Sequence, residues 1–325
     1  MKYLFIIIIS IPILTGICYA GQTADPNSKA VLTVEVTNGT SNGTSVVNDQ
    51  VTIQLFQHEQ LLQTMEDEVT DGNAIFENVP TGGHIVAVAQ VMHQNMSFRG
   101  EPVLLGPGQN EHISKVQVYD VSFDKSKLSV EMHHIIIKAH PEYLEVTEFM
   151  QLKNSSDMAI SSDKRDSQNR TIVLEIMLPM EFKNLNIYSY FENDTLVVTK
   201  SGFYDIMAVP PGVYPITFSY TLDITSDTMD ITKKITLPTS GLMLFTDLGT
   251  AKLQGLEQLE KHTMSRNETP MEYYKLINLT SNDELTFRFS GFNVNKSGSQ
   301  TWIILALVFC LLFTVVLWKL IPQKV

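Results

Sequence analysis

The sequence of 325 residues contains only two cysteines, Cys18 and Cys310, and each lies in an apolar run at one end of the chain. The long stretch between these runs has no thiol, which excludes disulfides, cysteine zinc sites and cysteine nucleophiles there. Its stability must therefore come from core packing. Thiol-free exported domains are typical of bacterial envelopes and unusual on animal cell surfaces.

Basic residues are also scarce, because 23 Lys and Arg face 35 Asp and Glu and leave a net charge of −12. A nucleic-acid partner is therefore not expected. Catalytic signatures are missing as well: no Gly-x-Ser-x-Gly elbow and no phosphate-binding glycine loop occurs. His58 and Glu59 begin like a zincin motif, but Leu62 stands where its second histidine belongs. The sequence predicts a protein that is not an enzyme and needs no cofactor.

The two apolar runs predict how the chain is placed in a membrane. The first reaches about Ile17, and Ala20 then supplies the small residue of a signal peptide cut after Ala20, with residues 21–30 as a linker; an uncleaved anchor is the alternative. Residues 302–318 carry no charge and predict a transmembrane helix, with a buried core helix as the alternative. The lysines of residues 319–325 predict a cytoplasmic tail. We expect a single-pass protein with its bulk periplasmic or extracellular and the lipid bilayer as a partner of the helix.

Asparagine occurs often in the triplet Asn-x-Ser/Thr, which a eukaryotic host would glycosylate. The triplets begin at Asn38, Asn42, Asn95, Asn154, Asn169, Asn193, Asn267, Asn278 and Asn295. In a bacterial host the same triplets reflect turns rich in Asn, Ser and Thr. The thiol-free composition favours the bacterial interpretation.

Short apolar-polar alternations separated by turn residues fill the rest of the chain. They predict a mainly β protein with two antiparallel β-sandwich domains in tandem, residues 31–123 and 124–292, then a linker over 293–301 and one transmembrane α-helix. Within the second domain, the runs 216–224 and 231–237 predict a hairpin. The spacing of Leu253, Leu256 and Leu259 favours a turn or two of helix within 251–262.

Two stretches carry resemblances. Residues 70–86, TDGNAIFENVPTGGHIV, resemble the signature of carboxypeptidase regulatory-like domains, of the transthyretin-like and carbohydrate-binding-like sandwich group. This resemblance implies a sandwich in which Ile75 or Phe76 fills the core, and far more about fold than activity. The second domain, through MHHIII at 132–137, VTE at 146–148 with Asn154, and VPPG at 209–212, is similar to exported, membrane-anchored bacterial proteins of unassigned role.

Three hypotheses about function remain open. Met92, His93 and Met96, with His133, supply the thioether and imidazole ligands that suit copper(I), although adjacent His133 and His134 point to opposite faces of a strand. Glycan binding would need a tyrosine platform, with the candidates Tyr188, Tyr190, Tyr204, Tyr273 and Tyr274. The preferred hypothesis is a scaffold whose sheet edges and loops bind an envelope protein of unknown identity.

Overall fold

The computed structural model describes residues 28–256, 259–266 and 269–292. The predicted signal peptide (1–20), most of the first linker (21–30), the second linker (293–301), the transmembrane helix (302–318) and the tail (319–325) lie outside these residues. Across the described ranges, no helix is long and apolar enough to cross a membrane.

The described chain is mainly β and divides into two compact units. Unit 1 comprises the described residues up to Thr37 together with Val46–Met92 and Phe98–Gln117. Unit 2 comprises Asn38–Ser45, His93–Ser97 and the described residues from Val118 onward. Helix in the described part is limited to one 3-10 turn, Lys125–Lys127.

Eight strands, of which Met96–Arg99 is shared equally with unit 2 and the others belong wholly or mostly to unit 1, form two sheets. They are β1 (Lys29–Asn38), β2 (Gln50–Gln57), β3 (Gln60–Glu68), β4 (Asn73–Pro80), β5 (Ile85–His93), β6 (Met96–Arg99), β7 (Val103–Leu104) and β8 (Glu111–Val118). One sheet has the order β4-β1-β8 and the other β3-β2-β5-β6, with β7 paired to β5. Alternate residues of β1, β2 and β5 are buried, as expected for sheets that cover a core with one face.

The 70–86 stretch supplies two turns and one core residue to unit 1. Asp71 and Gly72 adopt positive φ angles of 50° and 80°, which reverse the chain between β3 and β4. On β4, Phe76 is buried while Ile75 is 56% exposed, so Phe76 is the residue that fills the core. Gly82 is again left-handed, with φ at 89°, and opens the turn into β5.

Unit 2 contains fifteen named strands among the described residues. They are β9 (Val121–Ser122), β10 (Leu128–Ala139), β11 (Tyr143–Asn154), β12 (Ala159–Ile160), β13 (Leu174–Met177), β14 (Lys183–Ser189), β15 (Leu196–Thr199), β16 (Gly202–Asp205), β17 (Gly212–Asp223), β18 (Thr228–Lys234), β19 (Thr239–Asp247), β20 (Lys252–Gln254), β21 (Lys261–Arg266), β22 (Thr269–Leu279) and β23 (Glu284–Ser290). The large sheet has the order β14-β17-β11-β10-β19-β22-β21, and smaller sheets have the orders β18-β23-β20, β13-β16-β15 and β12-β9. One continuous apolar core includes residues of the first three of these sheets.

The prediction of purely antiparallel sandwiches is wrong for unit 2. Strands β10 and β19 pair in parallel through seven residue pairs, from Val130 with Thr239 to Lys138 with Asp247, and β9 and β12 also pair in parallel. Parallel neighbours need a long crossover, which here is the chain between β10 and β19. Alternation in the sequence indicates strands and their faces, but it does not fix the direction in which distant strands pair.

Two local predictions also fail in unit 2. The expected hairpin does not form, because β17 lies in the seven-stranded sheet and β18 pairs with β23 in another sheet. Each strand has its own buried stripe, so the two occupy separate layers instead of pairing edge to edge. The helix expected within 251–262 is replaced there by β20 and the start of β21.

Candidate functional site

The most concentrated chemistry in unit 2 surrounds one buried carboxylate, that of Glu148. Glu148 lies on β11, where it shares the inward face with Leu144, Val146 and Met150, and its exposed fraction is 0%. Strand alternation places it there, because every second residue of β11 points into the core. A carboxylate in this position must find hydrogen-bond donors inside the core.

Three side chains supply those donors. His133 on β10 lies with its Nε2 2.8 Å from the Glu148 Oε2, and the Tyr220 hydroxyl on β17 donates to Oε1 at 2.9 Å. The Lys233 Nζ lies 2.9 Å from Oε1 and 2.8 Å from Oε2. Because Lys233 comes from β18, this ion pair joins the seven-stranded sheet to the sheet that covers its inner face.

The Lys233 ammonium group has further partners besides Glu148. Its Nζ donates a further hydrogen bond to the backbone carbonyl of Met177 at 3.0 Å. The same atom lies 5.8 Å from the centre of the Phe218 ring, within cation–π range. The cluster thus holds one anion and one cation, each with several partners, which offsets the cost of removing both charges from water.

The pKa directions assign protonation states to the cluster. Burial alone would raise the pKa of Glu148, but the charge of Lys233 and the hydrogen bond from His133 outweigh it and hold that pKa at about 2. Burial lowers the pKa of His133, against the opposing effect of Glu148. Burial and the nearby carboxylate raise the pKa of Tyr220 well above its ordinary value. At neutral pH the carboxylate is ionised, and the imidazole and the phenol are neutral.

Access to this cluster is limited to very small molecules. The cavity beside it has a volume of about 20 Å³ and is lined by His133 and Lys233 together with Met150, Ile176 and Thr236. A volume of this size accommodates about one water molecule. The arrangement can tie two sheets together and can hold a proton on His133 or Tyr220, but no organic substrate fits beside it.

The sequence contained an indication of this cluster, although the strand pattern alone did not predict that Glu148 and Lys233 form an ion pair. Glu148 is in phase with the apolar residues of β11, and Lys233 is in phase with Ile231 on β18 and with Ile235 just after that strand. A charged residue on the apolar phase of a strand is a candidate for a buried ion pair. The predicted hairpin of residues 216–237 placed β18 beside β17 in the same sheet. The ion pair between Glu148 and Lys233, which joins two sheets, could therefore not be inferred from it.

A second carboxylate, Asp120, fixes a loop of unit 2. It accepts hydrogen bonds from the Asn38 Nδ2 at 2.7 Å, from the Thr44 hydroxyl at 2.8 Å and from the Thr44 backbone amide at 3.0 Å. The His93 Nε2 lies 3.1 Å from the same carboxylate. Burial raises the pKa of Asp120, but these hydrogen bonds outweigh it and hold the pKa at about 2.

This cluster combines a hydroxyl, an imidazole and a carboxylate without forming a catalytic relay. The Thr44 Oγ1 lies 3.2 Å from the His93 Nε2, and Asp120 contacts the same ring nitrogen. In a relay, the hydroxyl and the carboxylate contact opposite nitrogens of the ring. Here both partners use Nε2, so the arrangement positions the loop and does not activate the hydroxyl.

The four candidate copper ligands have different surroundings. His93 contacts Thr44 and Asp120, whereas His133 contacts Glu148. The Met96 sulfur accepts a hydrogen bond from the Ser161 hydroxyl at 3.1 Å, and Met92 is 40% exposed. No group of three or more His, Cys, Asp or Glu side chains suited to a metal ion occurs within residues 28–256, 259–266 and 269–292.

The five tyrosines considered for a glycan platform are also placed differently. Tyr204 is buried and donates to Asp166 at 2.6 Å, and Tyr274 is buried on the inner face of β22. Burial raises the pKa of Tyr190, which packs edge-on against Phe191. Tyr188, 63% exposed, and Tyr273, half-buried, remain in contact with solvent on the seven-stranded sheet.

A larger cleft of unit 2 is lined by the end of β19, the turn after it and β20, together with residues of β21 and β22. Its volume is about 560 Å³, and its lining includes Asp247, Lys252, Lys261, Glu272 and Tyr274. Lys261 and Glu272 form an ion pair across it, with their charged atoms 2.6 Å apart. The lining carries both signs of charge in equal number, so its electrostatics select neither an anion nor a cation.

Comparisons with known proteins give no family for this chain. No family model matches it, and no curated protein is similar to it in sequence. Among solved structures, a candidate protease from Parabacteroides distasonis aligns with 52% of this chain and 41% of its own, at 11% identity and a TM-score of 0.35. This chain thus spans less than half the length of that protein.

Two pilins of Corynebacterium diphtheriae align over more of the chain. The major pilin SpaD is 10% identical over 82% of this chain and 84% of its own, with a TM-score of 0.23. The major pilin SpaA is 10% identical over 63% of this chain and 61% of its own, with a TM-score of 0.19.

Proposed function

We propose that this protein is a non-catalytic scaffold, exported and anchored in the membrane by its C-terminal apolar segment, whose β units bind a partner protein of the cell envelope. The apolar runs at residues 1–17 and 302–318 support the placement. The resemblance of residues 70–86 to carboxypeptidase regulatory-like domains supports a structural role for unit 1, since such modules are appendages without a catalytic centre.

The proposal rests mainly on one observation, which is that the Glu148 cluster is buried and leaves no room for an organic substrate. Its carboxylate receives donors from His133, Tyr220 and Lys233, and the adjoining cavity accommodates about one water molecule. The most reactive set of side chains in unit 2 is therefore engaged in joining two sheets. An ion pair that joins two sheets stabilises a domain that has no disulfides, as is required of a scaffold outside the cell.

The edge strand β3 of unit 1 is a suitable surface for the partner. Among the described strands, β3 ends its sheet and pairs with β2 alone, so one row of its backbone amides and carbonyls faces outward. Leu61 and Leu62 are 55% and 49% exposed on this strand. An extended segment of a partner could add to this edge as a further strand.

The charge of β3 narrows the kind of partner. Glu66, Asp67 and Glu68 follow one another at its C-terminal end. In a parallel, in-register pairing of two copies of this edge, the three acids of one copy would face the three acids of the other. In an antiparallel pairing, the acids would lie beside the bulge near Leu62, which interrupts the regular ladder. Both arrangements disfavour self-pairing. The edge fits an extended partner segment that has apolar residues next to a group of basic ones.

Site-specific cross-linking in the native membrane tests the proposal. A photoreactive residue at Leu62 should capture a distinct envelope protein, identified by mass spectrometry, whereas the same residue at the exposed loop position Gln109 should not. Replacing the three acids of residues 66–68 by Gln, Asn and Gln should reduce the yield at position 62. If every position captures only the chain itself, or if an external protease cannot reach the acidic bulk, the proposal fails.

A further inference from the structure

The outer face of the seven-stranded sheet carries a row of aromatic rings that the Glu148 cluster does not use. Five adjacent strands contribute one ring each, in the spatial order Phe149 (β11), His134 (β10), Phe245 (β19), Tyr273 (β22) and His262 (β21). Successive ring centres lie 6.0, 5.3, 5.5 and 4.9 Å apart. The row therefore crosses five strands with one ring for each strand.

Register explains why these rings lie on one face. His134 lies directly opposite Phe149, Phe245 opposite Tyr273, and Tyr273 opposite His262. Residues that face each other across antiparallel strands point to the same side of the sheet. Their chain neighbours, such as His133 and Tyr274, are buried on the other side, whereas all five rings remain partly in contact with solvent.

Charged groups of both signs border the row. On one side, Lys153 pairs with Glu131 at 2.7 Å, and the Glu145 carboxylate lies 3.0 Å from the His140 Nε2. At the far end, the Glu260 carboxylate lies 3.7 Å from the Nε2 of His262 in the row. On the other side, Asp247 and Lys275 lie two residues from the row on β19 and β22, one of each sign. Burial lowers the pKa of His134 in the row itself, and the neighbouring His133 adds to that effect, so this ring is neutral at neutral pH.

Hydroxyl groups continue the same face beyond Phe149. Thr217 on β17 lies opposite Phe149, and Ser219 lies opposite Thr147 on β11. The exposed Tyr188 on β14 reaches over this area, with its hydroxyl 2.8 Å from that of Ser219. Uncharged donors and acceptors thus border the ring row along one side.

We infer that this face binds an uncharged oligosaccharide, with sugar rings lying along the aromatic row and their hydroxyls reaching the Thr and Tyr hydroxyls beside it. Sugar rings have apolar C–H faces that pack on aromatic rings and polar edges that need hydrogen-bond partners. The row repeats at nearly the strand spacing of about 4.8 Å, which is close to the length of one sugar residue. The charged side chains beside the row carry both signs and form no cluster of one sign that would select a charged ligand.

Direct binding to the full chain tests this inference. The protein is held in a nonionic detergent whose headgroup contains no sugar, and β-1,4-linked hexasaccharides of glucose and of N-acetylglucosamine are titrated by calorimetry. We expect a dissociation constant below about 1 mM for at least one of them. Replacing Phe245 and Tyr273 together by Ala should weaken binding at least about tenfold, as expected for two aromatic anchors.

Two matched variants separate ring stacking from general damage. Tyr273→Phe keeps the ring and should retain binding within a factor of about two to three. Phe123→Ala removes a 63% exposed ring outside the seven-stranded sheet and should have no effect. Carbene footprinting of the unmodified chain, with and without the hexasaccharide, should show protection around Phe149 and Tyr273 and keeps the test valid even if the double variant does not fold.

Several outcomes would overturn the inference. Absence of binding at millimolar hexasaccharide would do so, and so would binding that survives the loss of both rings. A further such outcome is that analytical ultracentrifugation shows the unmodified chain to be a dimer, which the Phe245 and Tyr273 substitutions convert to a monomer. That result would assign the face to self-association instead. None of these outcomes bears on capture of a partner at β3, so the scaffold proposal is tested separately.

Discussion

Glu148 and Asp120 are two carboxylates of unit 2 whose pKa values are both held at about 2, by different means. Glu148 is fully buried between two sheets, and its strongest stabilising influence is the charge of Lys233. Asp120 fixes a loop, and the partners described for it are an amide, a hydroxyl, a backbone N–H and an imidazole. A low pKa therefore shows that a carboxylate is strongly stabilised as an anion. A counter-charge can provide this stabilisation, as at Glu148, and so can hydrogen bonds alone, as at Asp120.

The largest change in the free energy of unfolding should come from removing one charge of the buried Glu148–Lys233 pair. Glu148→Leu leaves the Lys233 ammonium in the core without its counter-charge, and we expect it to lower the free energy of unfolding by about 3 to 5 kcal/mol. Urea denaturation of the full chain measures this loss. Glu145→Gln, on the outer face of the same strand, serves as the control and should change stability little. Equal effects of the two substitutions would show that the buried position has no special role.

Removing both charges should restore much of that loss. In Glu148→Leu/Lys233→Met the core holds apolar side chains of similar size, and we expect the double variant to recover about 2 to 4 kcal/mol relative to Glu148→Leu. A double-mutant cycle from the same denaturation curves gives the coupling energy. Simple additivity of the two single losses would mean that the charges do not interact as the 2.8 Å contact indicates.

Acidification should destabilise the protein in two steps. His133 is neutral when folded because burial lowers its pKa, so stability begins to fall as the pH drops below about 6.5, the ordinary value. Glu148 contributes stability that is complete above its ordinary pKa of 4.5 and is lost as the pH falls towards 2. The second step amounts to about 3 kcal/mol for Glu148. Denaturation series at several pH values measure it, and Glu148→Leu should flatten the part below pH 4.5.

The loop carboxylate should give a smaller and more local effect. Asp120→Asn removes the anion and turns an amide NH₂ towards donors such as the Thr44 N–H, and we expect a loss of about 2 to 3 kcal/mol. Hydrogen exchange at the Thr44 amide should accelerate more than exchange in β10 and β11. A uniform acceleration over all strands of unit 2 would contradict the assignment of Asp120 to loop fixation.

The smallest effect is expected at the phenol of the core cluster. Tyr220→Phe removes one of the donors to Glu148 and leaves those from His133 and Lys233, so the loss should be about 1.5 kcal/mol. Thermal unfolding followed by circular dichroism detects a change of this size. A loss as large as that of Glu148→Leu would place the main stabilisation of the carboxylate on Tyr220 instead of Lys233.

Sequence periodicity predicted the strands better than it predicted their partners. The alternation at residues 144–150 corresponds to β11, and Phe76, one of the two residues expected to fill the core of the 70–86 stretch, is buried. The parallel pairing of β10 with β19 could not be predicted, because strand direction depends on contacts between residues about a hundred positions apart. Local patterns do not contain that information.

The two unforeseen clusters differ in how far the sequence could have revealed them. Glu148 and Lys233 occupy apolar phases of their strands, which marks each as buried but does not pair them. The aromatic row had no such signal, because its five rings are ordinary outward residues on five separate strands. Only the strand order of the sheet brings Phe149, Phe245 and Tyr273 into one line.

The parallel pairing of β10 with β19 has a consequence for how unit 2 is made. A chain that leaves the ribosome or a translocation pore from its N-terminus presents β10 and β11 early, whereas Lys233 and β19 follow only after many more residues. Until then, the Glu148 carboxylate has no ammonium to pair with and is best kept in water, which postpones closure of the apolar layer. Assembly of this unit is therefore expected to be slow for its size, with the β10–β11 pair waiting for strands that are made much later.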